Sequence, residues 1–259
     1  MDIEITKINN QENEQLQLQW QTPPHSLVLP TEDLHLWVAV LDRTEDELEA
    51  FWATLSEEEQ ERASRFYFER DRNRYVVARG LLRVILGRYL RLPPAHISFA
   101  YGEFGKPMLA NMTESGIQFN VSHAQEIGVF AFTRNKQVGV DVEAIRPLSD
   151  IDQIAERFFS PYETAVFREI PPDYKPEAFF NCWTRKEAYI KAIGEGLSCP
   201  LEQFDVTLRP GEPARLLRVR TSRDQAKNWF MHAFTPEPGY VAAVVAEQPV
   251  ARLQGWRWP

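Results

Sequence analysis

Val138-Gly139-Val140-Asp141-Val142-Glu143 alternates strictly between apolar and non-apolar positions. Folded as a strand, it puts the three valines on one face and Gly139, Asp141 and Glu143 on the other. Two carboxylates on an edge strand are ordinarily solvated surface groups. Here the neighbouring segments are apolar, and a glycine inside a strand weakens it unless something must approach closely. The stretch therefore reads as a strand with one face in a core and an acidic face that meets a partner.

The partner is legible downstream. Trp183-Thr184-Arg185-Lys186-Glu187-Ala188-Tyr189-Ile190-Lys191 lies within a helix expected from about Pro176 to Ile193, ended by Gly194-Glu195-Gly196. Glu187 and Lys191 fall one turn apart on one side. Alone, such a pair is a common surface stabiliser worth about 0.2–0.5 kcal/mol. The flanking Phe179, Phe180, Trp183, Tyr189 and Ile190 imply a helix buried on more than one face, which turns the pair toward a site. Three carboxylates and a lysine have the composition that a hard divalent cation and an anion beside it require.

The same order of elements appears upstream. Leu34 to Leu41 reads as a buried strand, Ser56 with Glu59 as a capping box, and about Arg72 to Leu90 as a long helix stopped by Pro93-Pro94. The later copy is the acidic strand, Ser160-Pro161-Tyr162-Glu163 as a second capped start, and the Glu187 helix. The offsets are all close to a hundred residues, so the expected fold is α+β, made of two similar halves with a cleft between them. The division expected is an extended leader over 1–30, rich in Gln, Asn and Glu; an N-terminal half over 31–134; and a C-terminal half over 135–259 carrying the acidic site. Alternating strands are expected at 117–121 and 127–133, turning back through 134–137. A hairpin is expected from 229–234 and 240–246, with Trp256 and Trp258 packing on the body.

The 259 residues are 44% hydrophobic and 25% charged, enough for a sizeable core. With 29 basic against 37 acidic residues and a net charge of -8, a broad nucleic-acid or anionic-membrane surface is disfavoured. Cys182 and Cys199 are too few for a disulfide framework. Met1 to Glu4 lack a basic signal region and no apolar run reaches membrane-spanning length, so the expected location is cytoplasmic. An anionic ligand must then meet local basic groups. Arg62, Arg65, Arg70, Arg72, Arg74, Arg79 and Arg83 cluster around the first long helix, either as a solvated face beside Glu57 to Glu61 or as an anion pocket. Asn120-Val121-Ser122-His123 ends a strand with polar groups, and Gly105-Lys106-Pro107 is a rigid turn presenting a lysine.

VGVDVE, followed about forty residues later by WTRKEAYIKAIGEGL and preceded by FNVSH and GKP, resembles the Sfp-type 4'-phosphopantetheinyl transferases over about Leu34 to Ala246. The resemblance implies halves related by pseudo-twofold symmetry, with the active site at their interface. It implies transfer of the phosphopantetheine arm of coenzyme A to a serine of an apo acyl or peptidyl carrier protein, and the doubled architecture implies a working monomer. Adenosine 3',5'-bisphosphate is released, in fatty-acid, polyketide or nonribosomal-peptide synthesis. Asp141, Glu143 and Glu187 become the Mg²⁺ ligands. Lys191 neutralises the diphosphate, and Ser122 and His123 contact phosphate oxygens. Lys106 and Arg74, with Arg62, hold the adenosine end. Glu187, Lys191 and His123 are then the catalytic groups, Glu187 taking the serine proton directly or through water. One departure stands out: where some members place two lysines by the 3'-phosphate, this chain has Glu59 and Arg62, with Arg79 a possible substitute. The competing readings are another magnesium-dependent enzyme of the nuclease or phosphatase kind, and a coenzyme A-binding module without activity.

Overall fold

The acidic strand belongs to a small sheet sandwiched in the middle of the protein, as a computed structural model shows; it describes residues 18–24, 26–110, 115–220 and 225–259. In chain order the elements are β1 (Trp20–Gln21), β2 (Asp33–Val40), α1 (Glu45–Trp52), α2 (Glu57–Ser64), α3 (Glu69–Leu90), β3 (Phe99–Tyr101), β4 (Pro107–Leu109), β5 (Ile117–Ala124), β6 (Ile127–Arg134), β7 (Val138–Ala144), α4 (Ile151–Phe158), α5 (Pro161–Arg168), α6 (Lys175–Ile193), β8 (Phe204–Val206), β9 (Leu216–Val219), β10 (Trp229–Phe234), β11 (Tyr240–Glu247) and β12 (Arg252–Arg257).

Alternation decides the layers. Val138, Val140 and Val142 of β7, with Ala242 and Val244 of β11, pack against Leu34, Leu36 and Val38 of β2 and Val129 of β6 in a core between two sheets. The opposite face of the first sheet, through Trp37, Phe130 and Phe132, packs on Val77, Leu81 and Ile85 of α3. The opposite face of the second, through Ala243 and Val245, packs on Ala188 and Ala192 of α6. The order is helix, sheet, sheet, helix.

The element order β2-α1-α2-α3-β3-β4-β5-β6 recurs as β7-α4-α5-α6-β8-β9-β10-β11. The strand order β2-β6-β5 recurs as β7-β11-β10. The tail breaks the repeat. β12 pairs parallel with β2, so residues 252–257 lie in the sheet of the first repeat, and β1 pairs with β12 at its edge. Trp256 is buried there, 5.2 Å from Trp37 between ring centroids. Most of the expected leader, residues 1–17, lies outside the described residues; its later part is extended but packed, with Leu27 and Leu29 buried.

Both expected capping boxes form, at Ser56/Glu59 and Ser160/Glu163. Each capping acid also ties its short helix to the long helix of the same repeat. Glu59 accepts from Arg83 at 2.7 Å and from Arg79, and Glu163 pairs with Lys186 at 2.7 Å with both side chains fully buried. Gly139 does meet a close approach. A Cβ there would lie 2.1 Å from the Ala188 carbonyl oxygen and 2.3 Å from the Ala192 nitrogen, so α6 crosses β7 backbone against backbone.

Candidate functional site

β5 and β7 are edge strands of different sheets, and they run together where the repeats meet. Side chains replace the missing ladder there: Asn120 Oδ1 accepts from the Val140 N–H at 2.9 Å. Two residues further along β5 and one along β7, Ser122 Oγ donates to Asp141 Oδ1 at 2.8 Å. Lys191, from α6, donates to the same Asp141 oxygen at 2.6 Å, to Ser122 Oγ at 3.1 Å and to the Val140 carbonyl at 3.4 Å. One aspartate oxygen thus gathers the first repeat, the second sheet and the second long helix.

The other oxygen, Asp141 Oδ2, is buried without a hydrogen-bond partner. Burial pushes the carboxyls of Glu143 and Glu187 above their usual range, and the Asp141 charge pushes each further. Glu187 also senses Glu143, while Lys191 pulls the other way. Glu143 is partly engaged by Arg146 at 3.2 Å.

A divalent cation fits this chemistry in three respects. The donors are hard carboxylate oxygens, one of them is buried and unsatisfied, and the acids repel one another. The set is open rather than pre-closed: among the described residues no three acidic, imidazole or thiol groups stand as a finished ligand cage. Lys191 supplies the positive charge at Asp141 instead.

His123 is solvent-accessible beside this cluster. Partial desolvation, then the Lys191 and Arg74 charges, lower its imidazole below the ordinary value, so it is neutral at pH 7. Arg74 makes two bonds to Asp42, at 2.6 and 2.8 Å, with Glu126 3.6 Å away. Arg62 is exposed on α2, its guanidinium 5.7 Å from the Tyr75 ring centroid. Lys106 Nζ donates to the Val138 and Ala192 carbonyls at 3.0 and 3.1 Å and to Gln137 at 3.4 Å.

The structure therefore brings Ser122, Asp141 and Lys191 into direct contact, and places His123, Glu143 and Glu187 within electrostatic range of them. Arg74 is already ion-paired, and Arg62 stands apart on α2. The Glu59 departure has a structural cause, since its carboxylate is the buried capping acid and ion-pair partner of Arg83 and Arg79. Arg79 is in turn held by Glu59, donates to the Tyr101 hydroxyl at 2.8 Å and lies over Phe99. Asn120 was not among the expected site residues. Its signal was its place on the polar face that Gln118, Asn120 and Ser122 share along β5, at the period-two position behind Ser122.

Residues 137–245 match the family described as the 4'-phosphopantetheinyl transferase superfamily. Residues 42–135 match the 4'-phosphopantetheinyl transferase N-terminal family, so the two matches divide between β6 and β7 as the repeats do. The 4'-phosphopantetheinyl transferase HetI of a Nostoc species is 41% identical over 230 residues, covering 88% of this chain and 94% of that protein. The 4'-phosphopantetheinyl transferase Sfp of Bacillus subtilis is 31% identical, covering 80% of this chain and 88% of that protein. A further 4'-phosphopantetheinyl transferase of Bacillus subtilis is 34% identical, covering 76% and 84%.

Proposed function

Because the chain belongs to the Sfp-type 4'-phosphopantetheinyl transferases, we propose that it converts an apo acyl or peptidyl carrier protein to the holo form in a magnesium-dependent reaction. The donor is coenzyme A and the by-product is adenosine 3',5'-bisphosphate. The observation that supports this most strongly is the contact of Ser122, Asp141 and Lys191 where β5, β7 and α6 converge, with Glu143 and Glu187 close enough to perturb one another.

In the reaction the carrier serine oxygen bonds to the phosphorus that bears the pantetheine arm. The diphosphate P–O bond breaks, and the electron pair leaves with adenosine 3',5'-bisphosphate. Asp141, Glu143 and Glu187 would hold Mg²⁺, which when bound neutralises charge on the diphosphate. Lys191 has a flexible stem and a point charge, and can turn from Asp141 to the leaving oxygen, where charge develops. Glu187 takes the serine proton, directly or through a water. Neutral His123 and Ser122 donate to phosphate oxygens. On this reading Arg74, Arg62 and the Gly105-Lys106-Pro107 turn would border the adenosine end. The working unit is a cytoplasmic monomer, its two repeats related by a pseudo-twofold axis.

The test is incubation with coenzyme A, Mg²⁺ and a panel of apo carriers, reading the mass of each carrier. The reading expects a phosphopantetheine gain on at least one carrier, and at least a hundredfold slower gain with folded Asp141→Ala or Glu187→Gln. Parental rates in either variant, or undiminished activity in chelated buffer, would refute it.

A further inference from the structure

Lys106 stands in the turn between β3 and β4 of the first repeat, yet all three hydrogen-bond partners of its ammonium belong to the second. They are the Val138 carbonyl at the start of β7, the Ala192 carbonyl in the last turn of α6, and the Gln137 side chain. Val138 adjoins Gly139, where α6 crosses β7. The Ala192 nitrogen would lie 2.3 Å from a Cβ at that glycine, so Ala192 sits at the same crossing. The Ala192 carbonyl is also one of the terminal helix carbonyls that need a donor from outside the helix. The Lys106 stem passes Gly194, and Phe104 of the same turn lies 3.6 Å from the Cβ position of Gly196, so the turn rests on the end of α6.

The three acids and Lys191 are all placed relative to this crossing. Along β7, Asp141 and Glu143 follow Gly139 by two and four residues; along α6, Lys191 immediately precedes Ala192, and Glu187 lies a turn before Lys191. A change in how the helix sits on the strand changes the separation of the strand acids from Glu187 and Lys191. The ammonium is held largely out of water, which lowers its pKa to about 8, and it is committed to neutral acceptors.

We infer that Lys106 is a positioning residue, whose ammonium fixes α6 on β7 and thereby the geometry of Asp141, Glu143, Glu187 and Lys191, and that its side chain is not a ligand of the 3'-phosphate of coenzyme A. This rests on the transferase reading, and its test separates the two. Transfer is measured from coenzyme A and from dephospho-coenzyme A, which lacks the 3'-phosphate, with the parental enzyme and Lys106→Met, at a temperature where circular dichroism shows both folded. The expected result is a kcat about tenfold lower or more with both donors. The KM for coenzyme A stays close to parental, the preference for coenzyme A over dephospho-coenzyme A is unchanged, and more Mg²⁺ is needed for half-maximal rate. A preference that collapses in Lys106→Met, with dephospho-coenzyme A turned over normally, would overturn the inference.

Lys106→Arg guards against a methionine variant that does not fold. Its wide guanidinium retains a phosphate-binding cation but not a single ammonium suited to this seat, so kcat is expected to fall again; parental kinetics there would overturn the inference too. Parental enzyme that transfers from neither donor would instead sink the transferase reading itself.

Discussion

Asp141 has one oxygen satisfied twice and the other not at all, and that asymmetry defines the site chemically. Around it the acids are held at a cost. Glu187 has its folded pKa raised above 4.5 by burial and by Asp141. A carboxyl raised in this way keeps its proton in the folded state after the unfolded chain has lost it, so stability is lost as pH rises from about 4.5 through the folded value. Without divalent cation, Glu187→Gln is therefore expected to melt higher than the parent at pH 7. The two should converge at pH 4, where both side chains are uncharged. Adding Mg²⁺ at pH 7 should raise the melting temperature of the parent more than that of the variant. A variant that melts no higher at pH 7 would show that the acids do not strain the fold. Asp141 and Glu143 were legible because alternation assigns a face from local sequence alone. The role of Glu59 was not, because a carboxylate inside a capping box looks the same in sequence whether its second oxygen meets water or Arg79.

At the scale of elements, α6 carries two adjacent charged residues with opposite tasks. Lys186 is fully buried, paired with Glu163 and bonded to the Leu201 and Phe204 carbonyls at 2.7 and 2.8 Å, whereas Glu187 faces the site. A hundred degrees of helical rotation separates a structural lysine from a functional acid. Lys186→Met leaves the Glu163 carboxylate buried without its cation, and about 3–5 kcal/mol of unfolding free energy should be lost in urea denaturation. Glu163→Gln combined with Lys186→Met should recover part of that loss; a double variant worse than the sum of the singles would count against the pairing. The long helices, their ends and both capping boxes were readable from sequence, since apolar periodicity and capping are local. Gly139 was readable as a close approach, though not as an approach by a helix backbone, because the object on the far side is a tertiary matter.

Across the whole molecule the order of elements recurs, and an added strand crosses from the later set into the sheet of the earlier one. The doubling showed in the sequence as matched offsets. The destination of β12 did not, because parallel pairing with β2 joins residues more than two hundred positions apart and Arg252 to Arg257 carries no pattern that names its neighbour. This architecture separates stability from catalysis. Trp256 is buried in the first core, remote from the acids, and Trp256→Ala should cost about 3–5 kcal/mol while leaving kcat of the folded enzyme near parental. Asn120 is the opposite case. Asn120→Leu should cost less, about 1–3 kcal/mol for the orphaned Val140 N–H, yet it loosens the join that brings Ser122 and His123 to Asp141. Carrier labelling at a temperature where both variants are folded should therefore rank them in the reverse order of their stabilities, with Asn120→Leu the slower. If activity simply followed stability, the two repeats would be sharing a chain without sharing a site, and the contact of β5 with β7 would be packing alone.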